Sequence, residues 1–98
     1  MFGLDKLKLL KKQAEEVKSR LDDLRVLGES YDGLVKVEVN GNKNVLSIDI
    51  NQSVLNVRTK QEIDKVVMEA VNNALDAAQK AADGEMKGML PNIPGLGI

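Results

Sequence analysis

Apolar residues recur along the first quarter of the chain at alternating spacings of three and four. Leu7, Leu10, Ala14, Val17, Leu21 and Leu24 form a heptad seam of almost three repeats, which predicts an amphipathic helix from about Leu4 to Leu24. The period then falls to two. Val35, Val37 and Val39 alternate with Leu34, Lys36 and Glu38, the signature of a strand with one more apolar face. Asn40-Gly41-Asn42-Lys43 predicts a hairpin turn in which Asn-Gly supplies the positive φ values. In the following strand Leu46, Ile48 and Ile50 point one way, while Ser47 and Asp49 point the other. Residues 25 to 31 predict a first, less regular strand with Gly28 as a bulge or bend. Residues 51 to 56 predict a loop or an extra turn.

The longer period returns at Thr59-Lys60-Gln61-Glu62, a capping box that opens a second long helix. Its seam is Ile63, Val67, Ala70, Ala74, Ala77 and Ala81, broadened by Val66, Val71, Leu75 and Ala78. An arc this wide predicts burial on two sides, by the sheet and by another helix. The alanines would let backbones approach closely. Glu62, Glu69, Asp76 and Asp83 recur every seven residues as an acidic row, and Asp83-Gly84 predicts the helix stop. The last stretch, MLPNIPGLGI, holds both prolines and predicts a flexible tail over about residues 84 to 98. The whole is one α+β domain, residues 1 to 98: a long N-terminal helix, a three-stranded antiparallel meander and a C-terminal helix.

These lengths call for a partner. A helix of about 21 residues extends roughly 31 Å, whereas a strand of about 7 residues extends roughly 24 Å. The first helix therefore overhangs the sheet it is expected to pack on, and a second copy of the chain is the simplest cover for its seam. The flanking positions of that seam are Lys6, Lys11, Gln13, Lys18, Arg20 and Arg25, and none is acidic. Glu15, Glu16, Asp22 and Asp23 fall on the outer side. Two such helices packed in parallel would set like charges against each other, so parallel self-pairing is disfavoured.

Composition narrows the function. Ninety-eight residues with 43% apolar and 30% charged side chains make a globular domain with a modest core. No run approaches the roughly 20 apolar residues that span a bilayer, and no signal-peptide pattern opens the chain. The absence of Cys and His removes thiolate ligands and the commonest general base. Net charge is −1, but it is unevenly spread. Residues 1 to 20 carry Lys6, Lys8, Lys11, Lys12, Lys18 and Arg20 against Asp5, Glu15 and Glu16, a balance of +3, and the remainder of the chain stands at −4. That asymmetry points one end towards a polyanion.

The six basic residues suit phosphate contacts, which need charge and reach rather than a fixed motif. The structural alternative is that the flank residues, with Arg25, pair with acids such as the acidic row. Lys8 and Lys12 lie off the flank, facing outward, so pairing explains them less well. The acidic row does not make a metal site, since residues seven apart on a helix stand about 10 Å apart along its axis. No carboxylate sits in an evident apolar pocket that would suit it to acid–base catalysis. Gly28, Gly33 and Gly41 match no phosphate-binding loop. Phe2 and Tyr31 are the only aromatics, too few for a base-stacking platform. A hairpin separates the two long helices, so there is no helix-turn-helix. The basic N-terminal stretch could lie on a membrane surface, but its apolar stripe continues as a regular seam to Leu24.

In order along the chain stand Gly28-Glu29-Ser30, Gly33-Leu34-Val35-Lys36-Val37, the turn Asn40-Gly41 and Ile48-Asp49-Ile50. To these add Met1-Phe2-Gly3, Lys12-Gln13-Ala14, Val71-Asn72-Asn73-Ala74 and Leu90-Pro91. In this order and spacing the chain resembles the YbaB/EbfC family of small bacterial nucleoid-associated proteins over nearly its whole length. The resemblance implies a homodimer with helical arms projecting from a joined β core, cytoplasmic and nucleoid-associated. It would bind double-stranded DNA with little sequence preference and catalyse nothing. No cofactor, metal, small-molecule substrate or membrane partner is expected. A dimeric adaptor that holds a protein through the same arms and the apolar tail is the alternative.

Overall fold

The computed structural model describes residues 2–89, with side chains from 5 to 88. Helix α1 (Phe2–Asp23) leads into strands β1 (Val26–Glu29), β2 (Val35–Val39) and β3 (Val45–Ile50). A short helix α2 (Gln52–Val57) and the long helix α3 (Lys60–Met89) follow. The three strands form an antiparallel meander in the order β1-β2-β3. This is the predicted α+β architecture with one addition, since the segment expected as a loop or extra turn is α2. Asn51 opens that helix by accepting from the Ser53 amide at 3.0 Å. The Asn51 N–H donates to Leu34 O at 2.8 Å, tying α2 to the start of β2, and Val54 anchors it in the interior.

The core lies between α3 and the first two strands. Val35, Val37 and Val39 of β2 are fully buried against Ala70, Ala74 and Ala78 of α3, as the period-two pattern predicted. The buried stripe of α3 is a row at spacing four, Ala70-Ala74-Ala78-Ala82. Ala77 and Ala81 of the predicted seam are only half-buried. A seam of threes and fours runs nearly along the helix axis, whereas an i, i+4 row is the ridge that lies obliquely across a flat partner.

Gly28 sets the depth of that packing. It is neither bulge nor bend: it pairs regularly with Val37, and the register irregularity lies at Glu38/Val39. A Cβ at Gly28 would stand 2.2 Å from Ala74 N and 2.4 Å from Ala74 Cα. Only a hydrogen there lets the helix backbone rest on the strand.

Two other expectations from the sequence change. The positive φ of the β2–β3 turn is carried by Lys43, at 66°, not by Gly41. Helix α3 does not stop at Asp83-Gly84 but continues to Met89, because one glycine costs a helix only about 1 kcal/mol. The rest of the expected tail, with Pro91 and Pro94, lies outside the described residues. At its other end α3 begins as predicted. Thr59 Oγ accepts from the Glu62 amide at 3.2 Å, while the Glu62 carboxylate meets the Thr59 hydroxyl rather than its amide.

The two sheet edges differ. Near the end of β1, Asn73 Nδ2 donates to Glu29 O at 2.8 Å and the Tyr31 N–H donates to Glu69 Oε1 at 2.6 Å. Side chains of α3 thus reach the backbone on that side. Among the described residues no further strand lies beyond β3. Its register places Ile48 opposite Val37 and Ile50 opposite Val35, on the face that α3 covers over β1 and β2. Yet Val45 and Ile48 stay 45% and 47% exposed.

Two glycine substitutions test this packing. Gly28→Ala should destabilise the fold by about 3 kcal/mol, since neither backbone can yield. Gly84→Ala, in a helix with nothing within 4 Å of the new methyl, should stabilise it by about 0.5–1 kcal/mol. Urea unfolding of both variants measures each effect.

Candidate nucleic-acid interface

Helix α1 has 22 residues, roughly 33 Å of length at 1.5 Å per residue. It is held only near its C-terminal end. Val17, Leu21 and Leu24 are half-buried, and α1 meets α3 and the β2–β3 turn there. It does not lie along the sheet as its seam suggested. Leu7 and Leu10 are 63% and 60% exposed, so the first half of the seam has no cover among the described residues.

Lys6, Lys8, Lys11, Lys12, Lys18 and Arg20 are all exposed. Among the described residues none of the six lies within 4.0 Å of a carboxylate. The ion pairs there are Arg25–Glu38 at 3.9 Å, Arg58–Asp32 at 2.8 Å and Lys60–Asp64 at 3.3 Å. Within one chain, the expected pairing of the flank with the acidic row does not occur. Glu62 caps α3, Glu69 holds the Tyr31 amide, and Asp83 accepts from Gln79 Nε2 at 2.9 Å. Among the described residues Arg25 is the one flank residue in an ion pair, and it also donates to the Asp22 and Leu24 carbonyls at 2.7 and 3.1 Å.

Charge is graded along α1. Its far half carries Lys6, Lys8, Lys11 and Lys12 against Asp5, while its near half mixes Lys18 and Arg20 with Glu15, Glu16, Asp22 and Asp23. The Lys11–Glu15 and Lys12–Glu16 pairs place the base N-terminal, the weaker orientation for an i, i+4 pair. The arrangement is a rod whose free end is cationic, suited to phosphates and without a rigid fork for reading base edges.

A second polar cluster sits at the opposite end of the sheet, and it is a clasp. The Asp32 carboxylate accepts from Ser30 Oγ at 2.6 Å and from the Leu34 amide at 3.0 Å, and pairs with Arg58. It joins the β1–β2 turn, where Gly33 takes φ 73°, to the segment between α2 and α3. The Ser30 hydroxyl first, then the Leu34 amide and the Arg58 charge, hold the Asp32 carboxyl below its usual 3.8. A cavity of about 520 Å³ nearby is lined by Gly33, Leu34, Lys36, Asp49, Ile50, Asn51 and Gln52. Its two charged groups, Lys36 and Asp49, stand opposite each other in the sheet register. No described helix is long and apolar enough to cross a membrane.

Residues 3–93 match the YbaB/EbfC DNA-binding family. The chain belongs to that family. A nucleoid-associated protein of Flavobacterium johnsoniae is 30% identical over 100 residues, covering 98% of this chain and 92% of the relative. Another, from Caldanaerobacter subterraneus, is 35% identical over 95 residues, covering 92% and 86%. The crystal structure of an uncharacterised Helicobacter pylori protein has the same fold, with a TM-score of 0.71 at 24% identity. It covers 86% of this chain and 88% of that one.

Reading the sequence found the basic residues of this YbaB/EbfC chain but missed what fixes the helix bearing them. Gly41 donates its N–H to Leu21 O at 2.8 Å, and Asn42 Nδ2 donates to Lys18 O at 3.1 Å. The signal was the run of amides and glycine in Asn40-Gly41-Asn42-Lys43-Asn44, which looked sufficient as a turn and was given no second role.

The clasp predicts an acid limb of stability. Because the folded pKa of Asp32 is depressed, the unfolded state binds more protons as pH falls through the carboxylate range. The stabilisation is fully present above the unfolded value of 3.8 and is lost as pH drops through the lower folded value. Asp32→Asn should therefore lower Tm at neutral pH by an amount that stays constant while pH remains well above 3.8 and shrinks as pH falls below it. Thermal scans of both proteins across that range measure it.

Proposed function

We propose that this YbaB/EbfC protein is a non-enzymatic, nucleoid-associated homodimer of the bacterial cytoplasm. It binds double-stranded DNA through the phosphate backbone, with little sequence preference. The observation that carries this reading is the exposed cationic free end of α1, in a chain of a DNA-binding family. Lys6, Lys8, Lys11, Lys12, Lys18 and Arg20 are the proposed contacts. The relatives' name, nucleoid-associated protein, supports the partner and the location. The free end of α1 is cationic through lysines alone, and an isolated lysine on a helix surface discriminates charge, not sequence.

The second copy is supported by two uncovered apolar surfaces. One is the β3 part of the sheet face, with Val45, Leu46 and Ile48 exposed beside α3. The other is the first half of the α1 seam at Leu7 and Leu10. Together they are large for a soluble monomer, and a self-complementary contact around a twofold axis would cover both in each chain. The basic flanks of α1 oppose parallel pairing of two α1 seams in register.

Sedimentation equilibrium at micromolar concentration should give twice the 10.7 kDa chain mass. A single species of chain mass would remove the dimer. For DNA, each phosphate neutralised contributes roughly −0.9 to the slope of log K against log salt, so about four contacts per dimer give a slope near −4. Lys8→Glu with Lys12→Glu keeps Leu7, Leu10 and Ala14 in place, so folding and dimerisation should survive. Affinity should fall alike for unrelated duplexes, with a flatter slope. Unchanged affinity would move the site off this helix face. Absence of wild-type binding at low salt would turn the exposed leucines of α1 into the argument for a protein adaptor instead.

A further inference from the structure

We propose that the β2–β3 turn is a shoulder that aims α1 at DNA, with Gly41 and Asn42 as positioning residues. This rests on the DNA-binding reading and concerns how the arm is held. Helix α1 has a free cationic end, so its direction is decided where it ends, and there the turn grips its carbonyls. Leu21 O, in the last turn, has no intrahelical donor of its own four residues on. It accepts from Gly41 N at 2.8 Å and from Leu24 N at 3.2 Å. One turn earlier, Lys18 O accepts from Asn42 Nδ2 at 3.1 Å. The same amide nitrogen also donates to the Asp22 carboxylate. One side chain therefore spans α1 from carbonyl to carboxylate, while the neighbouring amide holds the next carbonyl.

The grip is rigid on the turn side as well. The Asn40 side chain is buried, and its Oδ1 accepts from the Asn42 and Asn44 amides, both at 3.0 Å. Lys43 closes the loop with φ 66° and an N–H donated to Asn40 O at 3.1 Å. Gly41 must be glycine for contact reasons: a Cβ would meet Leu21 O at 2.9 Å and Leu21 Cα at 3.1 Å. Both are backbone atoms of α1, so relief requires the helix to move.

Leverage makes the shoulder matter. Lys8 lies 13 residues from Leu21, roughly 20 Å along the axis. A tilt of about 10° at the turn would carry it some 3 to 4 Å, more than the length of the charge-assisted hydrogen bond it would make. An arm held in place binds phosphates without first losing that freedom.

Asn42→Ala removes both side-chain bonds without touching the charge count, and Gly41→Ala pushes α1 away without removing a polar group. Both are measured as the intact dimer, with circular dichroism confirming the fold. In Asn42→Ala, hydrogen exchange at the Gly41 amide should speed up by about tenfold, as docking of α1 loosens. DNA affinity should fall about fivefold in both variants with the salt slope unchanged, because no phosphate contact is lost. Asn42→Asp, which sets a carboxylate beside Asp22, should weaken binding further, and adding Asp22→Asn should recover part of it. Unchanged exchange in Asn42→Ala would overturn the grip. Faster exchange with unchanged affinity would overturn the positioning role while leaving DNA binding intact. A wild type that does not bind at low salt would overturn both.

Discussion

Helix α3 rests on the sheet where Gly28 faces Ala74, and most of the architecture follows from how close that contact is. A strand residue without a side chain and a helix row of alanines bring two backbones nearly into touch. Close layers exclude water well but bury few atoms, so the single-chain core comes down to β2 valines, Val54 and the alanine row. The same closeness fixes where α3 runs. Seated on β1 and β2, it is too narrow to reach β3, and an apolar strip of sheet stays open beside it. A larger residue at position 28 or 74 would lift the helix and, with it, the Asn73 and Glu69 contacts to the end of β1.

Uncovered apolar surface and projecting helix are therefore two results of one design. A chain of 98 residues has little area to spare for a core, and here the first half of α1 contributes nothing to it, with Leu7 and Leu10 exposed. What stabilises a single copy is concentrated in β1 and β2, α2 and the part of α3 that carries Ala70 to Ala82. The clasp at Asp32 and Arg58 and the turn at Asn40 to Asn44 close the two ends of that unit. Helix α1 joins it through carbonyl contacts and the half-buried Val17, Leu21 and Leu24, all near or just past its C-terminal end, so the direction of the arm is decided there.

Much of this was legible in the residues, because periodicity is a local property. The heptad of Leu7 to Leu24, the alternation of Val35 to Val39 and the Thr59–Glu62 cap each report on a few neighbours along the chain, and the elements follow. What was not legible depends on distant residues meeting. Gly28 looked like a bulge because its reason, Ala74, lies 46 positions on. Asn-Gly looked like a source of positive φ because the demand of Leu21 for close approach is invisible in the turn itself. Asp83-Gly84 looked like a stop because propensity alone favours one there, although a single glycine is a small cost in a long helix. The lysines were legible as a charge imbalance. Their freedom from carboxylates within the chain was not, since pairing depends on how α3 turns its acidic row.

The near-zero net charge of the chain is no obstacle to a polyanion partner once the charges are placed in space. At physiological ionic strength a surface charge is screened over about 8 Å. Lys8 and Lys12 stand nine or more residues, roughly 14 Å or further, beyond Leu21, where α1 meets the turn. A phosphate beside Lys6 and Lys8 thus feels the local lysines with Asp5, and little of the acids beyond residue 20. The acids nearest the shoulder, Asp22 and Asp23, have the opposite use. Asp22 holds Asn42, so negative charge is spent on fixing the helix at one end while positive charge is kept clear at the other. Segregating the two along one rod lets a weakly acidic protein still present a cationic tip.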